Sequence, residues 1–334
     1  MEDIRIGVVG IGHLGNYHLE KYEKLPGCRI TAVADLISER ALRAADRYSC
    51  TALTDYRDMR GAVDAVSIAV PAKSHYEVAR DFLRWGVDVL LEKPIADSIE
   101  DADELICIAD EKKAVLQVGF VERFNPAIIA LGNVIKKPLF IESHRLHPFS
   151  NRGTDVDVVL DLMVHDLDII LKFVDSPLKS AEAVGVSVLS DEVDIANARL
   201  TFESGCVANI TASRVSGKNL NKIRFFGPEG YHSVDYSERE LVSISRKVLE
   251  NGAVQVAANG VEIRMHDPLE EEIRSFLNSV RTRSVPLVSG REARKSLKIA
   301  LELIEIIRSG QEKIATAEGT FIINCWTHKT VNRA

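Results

Sequence analysis

The sequence predicts an α/β protein with two domains. The first is a doubly wound parallel sheet, and the second is an α/β domain built on an open-faced, mainly antiparallel sheet. In the first 120 residues short Val/Ile/Ala runs alternate with helical patterns, whereas strands follow one another from about residue 180 to 265. A chain of 334 residues is also too long for one small core. We therefore expect domains at residues 1–120 and 121–334, with the late helices able to pack back on the first domain.

In the first domain the apolar runs are nearly continuous, which is typical of parallel strands covered on both faces. They predict strands at residues 4–9, 29–34, 65–70, 87–91 and 115–118. The segments between them predict helices at residues 14–24, 38–48, 75–85 and 99–112.

After residue 120 the pattern changes. We predict helices at residues 126–135 and 156–173 on either side of a strand at 139–146, and then strands at 180–188, 195–202, 206–213, 222–226 and 231–236. The turn at residues 202–206 contains Gly205 and predicts a hairpin. Two late helices are expected at 269–280 and 290–309, and the second carries an apolar stripe suited to packing.

Composition excludes several classes of protein. The net charge of −7 argues against a nucleic-acid partner, which requires a basic face. The five cysteines are odd in number and never form a C-x-x-C pair, so we expect neither a disulfide framework nor a metal site. The N-terminus lacks the pattern of a signal peptide, and the chain has no apolar run long enough to span a membrane. We expect a cytoplasmic protein.

A glycine-rich loop follows the first strand and opens the first helix. Gly10 allows the tight turn, Gly12 lets a pyrophosphate approach the backbone, and Gly15 lets helix and strand pack closely. This G-x-G-x-x-G pattern predicts a Rossmann dinucleotide site, in which His13 and Leu14 also face the cofactor.

The second strand ends at Asp35, which lies 20 residues beyond Gly15. An acidic side chain at this place accepts hydrogen bonds from the adenosine ribose and repels a 2′-phosphate, so the cofactor is expected to be NAD. Arg40 nearby leaves NADP open as the alternative.

Further short motifs come in a fixed order along nearly the whole chain. They are the glycine loop, Val70-Pro71 with Ser74-His75, Glu92-Lys93-Pro94, residues 118–120 with 123–126, and Asp161-x-x-x-His165-x-x-Asp168. With them the sequence resembles the Gfo/Idh/MocA family of oxidoreductases, whose second domain is an open-faced, predominantly antiparallel sheet.

The resemblance implies roles for the residues around Lys93. Lys93 is expected beside the nicotinamide and the substrate hydroxyl, and Glu92 near the nicotinamide ribose. The remaining residues of these motifs are expected to line the cofactor: Val70, Pro71, His75 and Pro94. The Lys93-Pro94 bond is cis in many relatives, at modest energetic cost.

Oxidation of a secondary alcohol requires a base for the hydroxyl proton. Asp161 and His165 lie four residues apart on a predicted helix and therefore on one face. We expect His165 to remove the proton, Lys93 to bind the developing alkoxide, and Asp161 to favour the protonated imidazole. The alternative is a buried histidine satisfied by a neighbouring aspartate. Asp168 could simply cap or solvate the helix.

Arginines and amides near the predicted helix suggest how a substrate is held. Arg123, Asn125 and Arg152 are expected to bind it, since arginine forms forked hydrogen bonds with phosphate. The run from Arg152 to Asp166 resembles the family's bacterial dehydrogenases of UDP-N-acetylglucosamine, which oxidise the 3-hydroxyl before amination toward 3-amino lipid A precursors. An inositol or free-sugar dehydrogenase and a non-catalytic dinucleotide-binding sensor are the alternatives. The exposed sheet face predicts a homodimer or homotetramer.

Overall fold

A six-stranded parallel sheet forms the first half of the molecule. The computed structural model describes residues 2–150, 156–228, 230–248 and 254–317. The strands of this sheet are β1 (Ile4–Val9), β2 (Cys28–Ala34), β3 (Thr51–Leu53), β4 (Ala65–Ile68), β5 (Asp88–Glu92) and β6 (Leu116–Gly119). Their order, β3-β2-β1-β4-β5-β6, is that of the Rossmann fold, and it confirms the doubly wound sheet.

Four helices connect these strands: α1 (His13–Lys24), α2 (Ser38–Tyr48), α3 (His75–Arg84) and α4 (Ile99–Lys112). Local sequence sets their ends. Ser98 caps α4 by accepting a hydrogen bond from the Asp101 amide, and Lys113 ends that helix in the left-handed conformation. The short edge strand β3 was not predicted, because three residues give too short an apolar pattern.

An eight-stranded sheet forms the second half. Its strands are β7 (Phe140–Leu146), β8 (Leu178–Val186), β9 (Ile195–Phe202), β10 (Val207–Ser213), β11 (Leu220–Gly227), β12 (Gly230–Asp235), β13 (Glu240–Val248) and β14 (Val254–Asn259). The order is β14-β13-β12-β11-β7-β10-β9-β8. Only β7 and β10 pair in parallel within the described strands, so the sheet is mainly antiparallel as predicted. The hairpin between β9 and β10 turns at Gly205, which has φ +85°.

Helices cover one face of this sheet. They are α5 (Pro126–Gly132), α6 (Val164–Phe173) and α8 (Gly290–Ala317), while α7 (Pro268–Thr282) lies elsewhere. The predicted helix at 156–173 is confirmed from residue 158 onward, but Val159–Met163 form a π turn instead of α-helix before α6 begins. A π turn is a known feature of functional sites.

The chain returns to the first sheet near its end. Ile273, Phe276 and Val280 of α7 join the same apolar cluster as Ile6 and Leu19. Helix α8 contacts α4 and β6 at its start and β8 and α6 further on, so it spans both sheets. In the part of the chain that the structure describes, no helix has the length and apolarity needed to cross a membrane.

Candidate functional site

The glycine loop lies at the carboxyl edge of the first sheet, where the strand order reverses between β1 and β4. Gly10 has φ +88°, and a Cβ there would lie 2.6 Å from the Ala69 carbonyl oxygen. A Cβ on Gly15 would lie 1.9 Å from the Gly10 carbonyl oxygen. A Cβ on Gly12, in contrast, would meet no atom within 4 Å, so space remains above this residue. Two glycines are thus needed for packing, and the third leaves room for a ligand.

The start of α1 is suited to an anion. Its first turn contains no acidic residue, and Gly12 at the N-cap makes no side-chain capping bond. His13 and Leu14 are exposed at this end of the helix. A pyrophosphate would therefore meet the N–H groups of the first turn and the positive end of the helix dipole.

Asp35 is attached to the same loop. One carboxylate oxygen accepts a hydrogen bond from the Ile11 amide at 2.7 Å, and the other accepts one from the Ile37 amide at 2.8 Å. The side chain is only half-buried, so oxygen lone pairs remain open to ribose hydroxyls. Asp35 thus shapes the loop as well as lying where an adenosine ribose would bind.

The ends of β4 and β5 lie next in the sheet. The Lys93-Pro94 bond is cis, and Pro94 is buried, while Pro71 is exposed and Val70 half-buried. His75 is 1% exposed, and its ring nitrogens lie 2.7 Å from the Pro94 carbonyl oxygen and 2.9 Å from that of Val70. Its burial and these two hydrogen bonds argue against the expectation that His75 lines the cofactor.

Lys93 reaches from the first sheet to the π turn. Its Nζ lies 2.5 Å from the backbone oxygen of Asp161 and 3.2 Å from the carboxylate of that residue. Asp161 remains about one-third exposed and Lys93 somewhat less, so both line open space. The two residues that were expected to act together are thus in direct contact across the cleft between the sheets.

His165 lies one turn further along, in α6. Burial lowers its pKa well below the ordinary value, and the positive charges of Lys93 and Arg145 lower it further. Its Nδ1 has no hydrogen-bond partner among the described residues, and its ring meets Phe120 edge-on at 6.0 Å between centroids. The Asp161 carboxylate binds Lys93, which argues against the expectation that it favours the protonated imidazole. Burial and the nearby positive charges favour the neutral form of His165.

A buried polar network lies next to His165, around the start of α6. Arg145 donates to Asp166 at 2.8 Å and to Glu122 at 3.3 Å, and its guanidinium lies 4.8 Å from the centre of the Tyr236 ring. Ser143 donates to Asp166 at 2.8 Å. Through Asp166, Arg145 holds the start of α6.

Two expected substrate-binding residues are structural. Arg123 is 4% exposed and forms a forked pair with Asp168, at 2.5 and 3.0 Å. Asn125 is 2% exposed, caps α5 through the Ala127 amide and donates to the Tyr236 carbonyl. Burial and these internal partners argue against both assignments to the substrate. Asp168 is the partner of a buried arginine and not a solvated helix residue.

Arg152, the third residue expected to bind the substrate, lies outside the described residues.

A cavity of about 520 Å³ joins the glycine loop to the π turn, and its lining includes polar residues that were not predicted from the sequence. His147 lies at the end of β7, and Asn219 lies in the loop before β11, where no motif marks it. The lining residues are His13, Leu14, His147, Pro148, Ser150, Asp161, Leu162, Arg214 and Asn219.

The described residues contain no group of three or more side chains that could hold a metal ion.

Comparison with known proteins agrees with this architecture. Residues 4–120 match the model of an oxidoreductase family with an NAD-binding Rossmann fold, and residues 137–233 match the C-terminal domain of the GFO/IDH/MocA family. The chain is 36% identical over 305 residues to UDP-N-acetylglucosamine 3-dehydrogenase of Acidithiobacillus ferrooxidans, covering 91% of this chain and 97% of that protein.

A solved structure of the Acidithiobacillus ferrooxidans enzyme superposes with a TM-score of 0.85 at 35% identity, over 92% of this chain and 99% of the other. Inositol 2-dehydrogenase of Rubrobacter xylanophilus is 28% identical over 338 residues, covering 95% of each chain. The chain therefore belongs to the Gfo/Idh/MocA family of NAD-binding oxidoreductases.

Proposed function

We propose that this protein oxidises the 3-hydroxyl of UDP-N-acetylglucosamine to the 3-keto sugar, using NAD. The observation that carries the chemistry is the contact of Lys93 with Asp161, one helical turn from the imidazole of His165, whose pKa is lowered and whose Nδ1 has no hydrogen-bond partner among the described residues. The choice of substrate is supported by the 36% identity to an enzyme with that name, against 28% for an inositol 2-dehydrogenase.

The residues present fit NAD. The close packing at Gly10 and Gly15, the open space above Gly12 and the uncapped start of α1 suit a pyrophosphate. Asp35 suits the adenosine ribose. When bound, NAD supplies the acceptor for a hydride from the substrate carbon.

The side chains of this protein then handle the hydroxyl proton. As the carbon–hydrogen bond breaks and the carbonyl forms, the O–H proton passes to a ring nitrogen of His165. The Lys93 ammonium donates a hydrogen bond to the oxygen, which stabilises its negative charge in the transition state. Asp161 keeps Lys93 in place, because its backbone oxygen and one carboxylate oxygen both lie within hydrogen-bond distance of the Lys93 Nζ.

A neutral His165 is the form required for this role. A general base must be unprotonated at the start of the reaction, and burial together with two nearby cations keeps it so at neutral pH. Phe120 packs against the ring and limits its rotation.

The test uses the purified protein with NAD and a panel of UDP-sugars, inositols and free sugars, and follows the absorbance of the reduced nicotinamide. We expect reduction with UDP-N-acetylglucosamine and a 3-keto product by mass spectrometry. Reduction with inositols alone would overturn the substrate. Tight NAD binding with no reduction for any compound, and no oxidation of NADH with a 3-keto sugar, would favour a sensor.

Lys93→Met should lower kcat/KM about 100-fold or more while NAD still binds. Lys112→Met, at an exposed lysine at the end of α4, is the matched control and should leave kcat/KM unchanged. Full turnover by the Lys93 variant would contradict the proposed mechanism.

We also propose that the protein self-associates through the face of the second sheet that the helices do not cover. This face carries a shallow polar depression lined by residues such as Glu142, Glu182, Asn197 and Arg199. Sedimentation velocity should give a dimer or tetramer, and a monomer at micromolar concentration would contradict the proposal.

A further inference from the structure

A chain of buried hydrogen bonds runs through the first domain toward the residue before Lys93. The Tyr22 hydroxyl lies 2.8 Å from Ser67 Oγ, and Ser67 Oγ lies 3.1 Å from His18 Nδ1. His18 Nε2 lies 3.0 Å from Glu92 Oε1. The chain thus links α1, whose start forms the glycine loop, to the end of β5.

The direction of donation along this series of hydrogen bonds follows from the groups at its two ends. Burial raises the pKa of Tyr22 far above its ordinary value, so this hydroxyl keeps its proton and can donate. Glu92 is an acceptor at the other end. Burial alone would raise the pKa of Glu92, but the hydrogen bond from His18 and the positive charge of Lys93 hold it below the ordinary value. Every member therefore donates toward an ionised Glu92.

Glu92 differs from the other members in its exposure. His18 is fully buried, whereas the side chain of Glu92, at the last position of β5, is 12% exposed. Gly119 of the neighbouring strand makes this position possible, since a Cβ there would lie 3.1 Å from Glu92 Oε2. The charge of Glu92 is thus presented at the carboxyl edge of β5.

A second carboxyl group packs against the same place. Glu272 of α7 is fully buried, and neither of its oxygens has a hydrogen-bond partner among the described residues. Burial raises its pKa well above the ordinary value, and the negative charge of Glu92 raises it further. The pKa values of the two carboxyl groups are therefore shifted in opposite directions, and Glu92 is the one of this pair that ionises first as the pH rises.

The position of this charge relative to the cofactor follows from the order of the strands. The glycine loop binds the pyrophosphate between β1 and β4, and Asp35 at the end of β2 marks the adenosine side. The nicotinamide half must then lie on the side of β4 and β5, where Glu92 is. The ring is cationic in NAD⁺ and uncharged in NADH, so a negative charge beside it stabilises the oxidised form.

We infer that His18 is a positioning residue that holds Glu92 ionised at the nicotinamide end of the cleft, so that the protein binds NAD⁺ in preference to NADH. The inference concerns the cofactor alone and does not depend on the identity of the sugar. The groups that face Glu92 are His18 from α1, His75 from α3, Lys93 from its own strand and Glu272 from α7.

The test measures dissociation constants of NAD⁺ and NADH without substrate, between pH 6 and 9, by calorimetry and nicotinamide fluorescence. In His18→Leu the donor is lost, burial protonates Glu92, and the affinity for NAD⁺ relative to NADH should fall about fivefold, the size of a partly screened charge interaction. His18→Gln places an amide N–H near the position of Nε2, and it should keep the ratio within about twofold of the unsubstituted protein.

Glu92→Gln removes the charge directly and should give the same shift as His18→Leu. The double variant should show no further shift, because His18 acts through Glu92. Equal losses of NAD⁺ and NADH affinity in His18→Leu would mean that His18 is only part of the core. If that variant does not fold, Glu92→Gln decides the matter, since an unchanged ratio there would overturn the inference.

Discussion

Replacing Arg123 by Met would test whether this residue supports the fold or binds the substrate. The side chain makes two charge-assisted hydrogen bonds to Asp168, at 2.5 and 3.0 Å, and both residues are almost fully buried. Each such bond contributes about 1.5–3 kcal/mol. Removal of one partner from a buried pair costs about 3–5 kcal/mol, because the other is left without compensation.

We therefore expect Arg123→Met to lower the free energy of unfolding by about 3 kcal/mol, at the lower end of that range. Protonation limits the loss, since burial raises the pKa of Asp168 and the unpaired carboxyl can become neutral. The measurement is a guanidinium titration at pH 7, followed by circular dichroism. Arg274→Met is the matched control: it breaks a half-exposed pair with Glu270 and should cost under about 1 kcal/mol.

The double variant Arg123→Met/Asp168→Leu removes both charges and should recover most of the loss. At temperatures where all variants are folded, the KM for the sugar substrate should remain within about twofold of the unsubstituted protein. A variant of Arg123 with unchanged stability and a strongly raised KM would refute our assignment and restore Arg123 to the substrate site.

Three further predictions concern the glycine loop, the buried carboxyl group and the base. Gly15→Ala should abolish measurable NAD binding, since its Cβ would lie 1.9 Å from the Gly10 carbonyl oxygen, while Gly217→Ala, with open space around it, should bind normally. Glu272 has a raised pKa in the folded state, so its contribution to the free energy of unfolding is complete below pH 4.5 and is lost as the pH rises. In the unsubstituted protein this loss gives the free energy of unfolding a slope of up to about 1.4 kcal/mol per pH unit between pH 5 and 7. Glu272→Gln should remove that slope, as measured by urea titrations at several pH values. Because the pKa of His165 is lowered, kcat/KM should stay constant as the pH falls to 6.5. A loss of activity that is centred above pH 7 and disappears in His165→Gln would contradict a neutral base.

The parallel sheet was predictable because its strands are short, nearly continuous apolar runs that a helical pattern separates each time. The hairpin at Gly205 was predictable for a similar reason, since a glycine between two alternating runs marks a turn. Strands β13 and β14 were not assigned individually. Their sequences mix charged and polar residues with isolated valines, and pairing with neighbours decides their structure.

The site was predictable in its composition and less so in its arrangement. The spacing of Asp161 and His165 indicated one helix face, but a π turn changes the register between them, and no pattern of residue types marks that turn. Arg123 looked like a ligand for phosphate because sequence gives no sign that Asp168 lies opposite it. The sign of the pKa shift of His165 depends on burial and on Lys93, which comes from a distant part of the chain.

The return of α7 to the first sheet has a consequence for synthesis on the ribosome. Ile6 and Leu19 leave the ribosome well before their packing partners Ile273, Phe276 and Val280, because the whole second sheet lies between them in the sequence. One face of the early sheet must therefore stay bare, or be shielded by a chaperone, while the second sheet is being made. The nucleotide-binding half completes its packing only after that sheet has been translated.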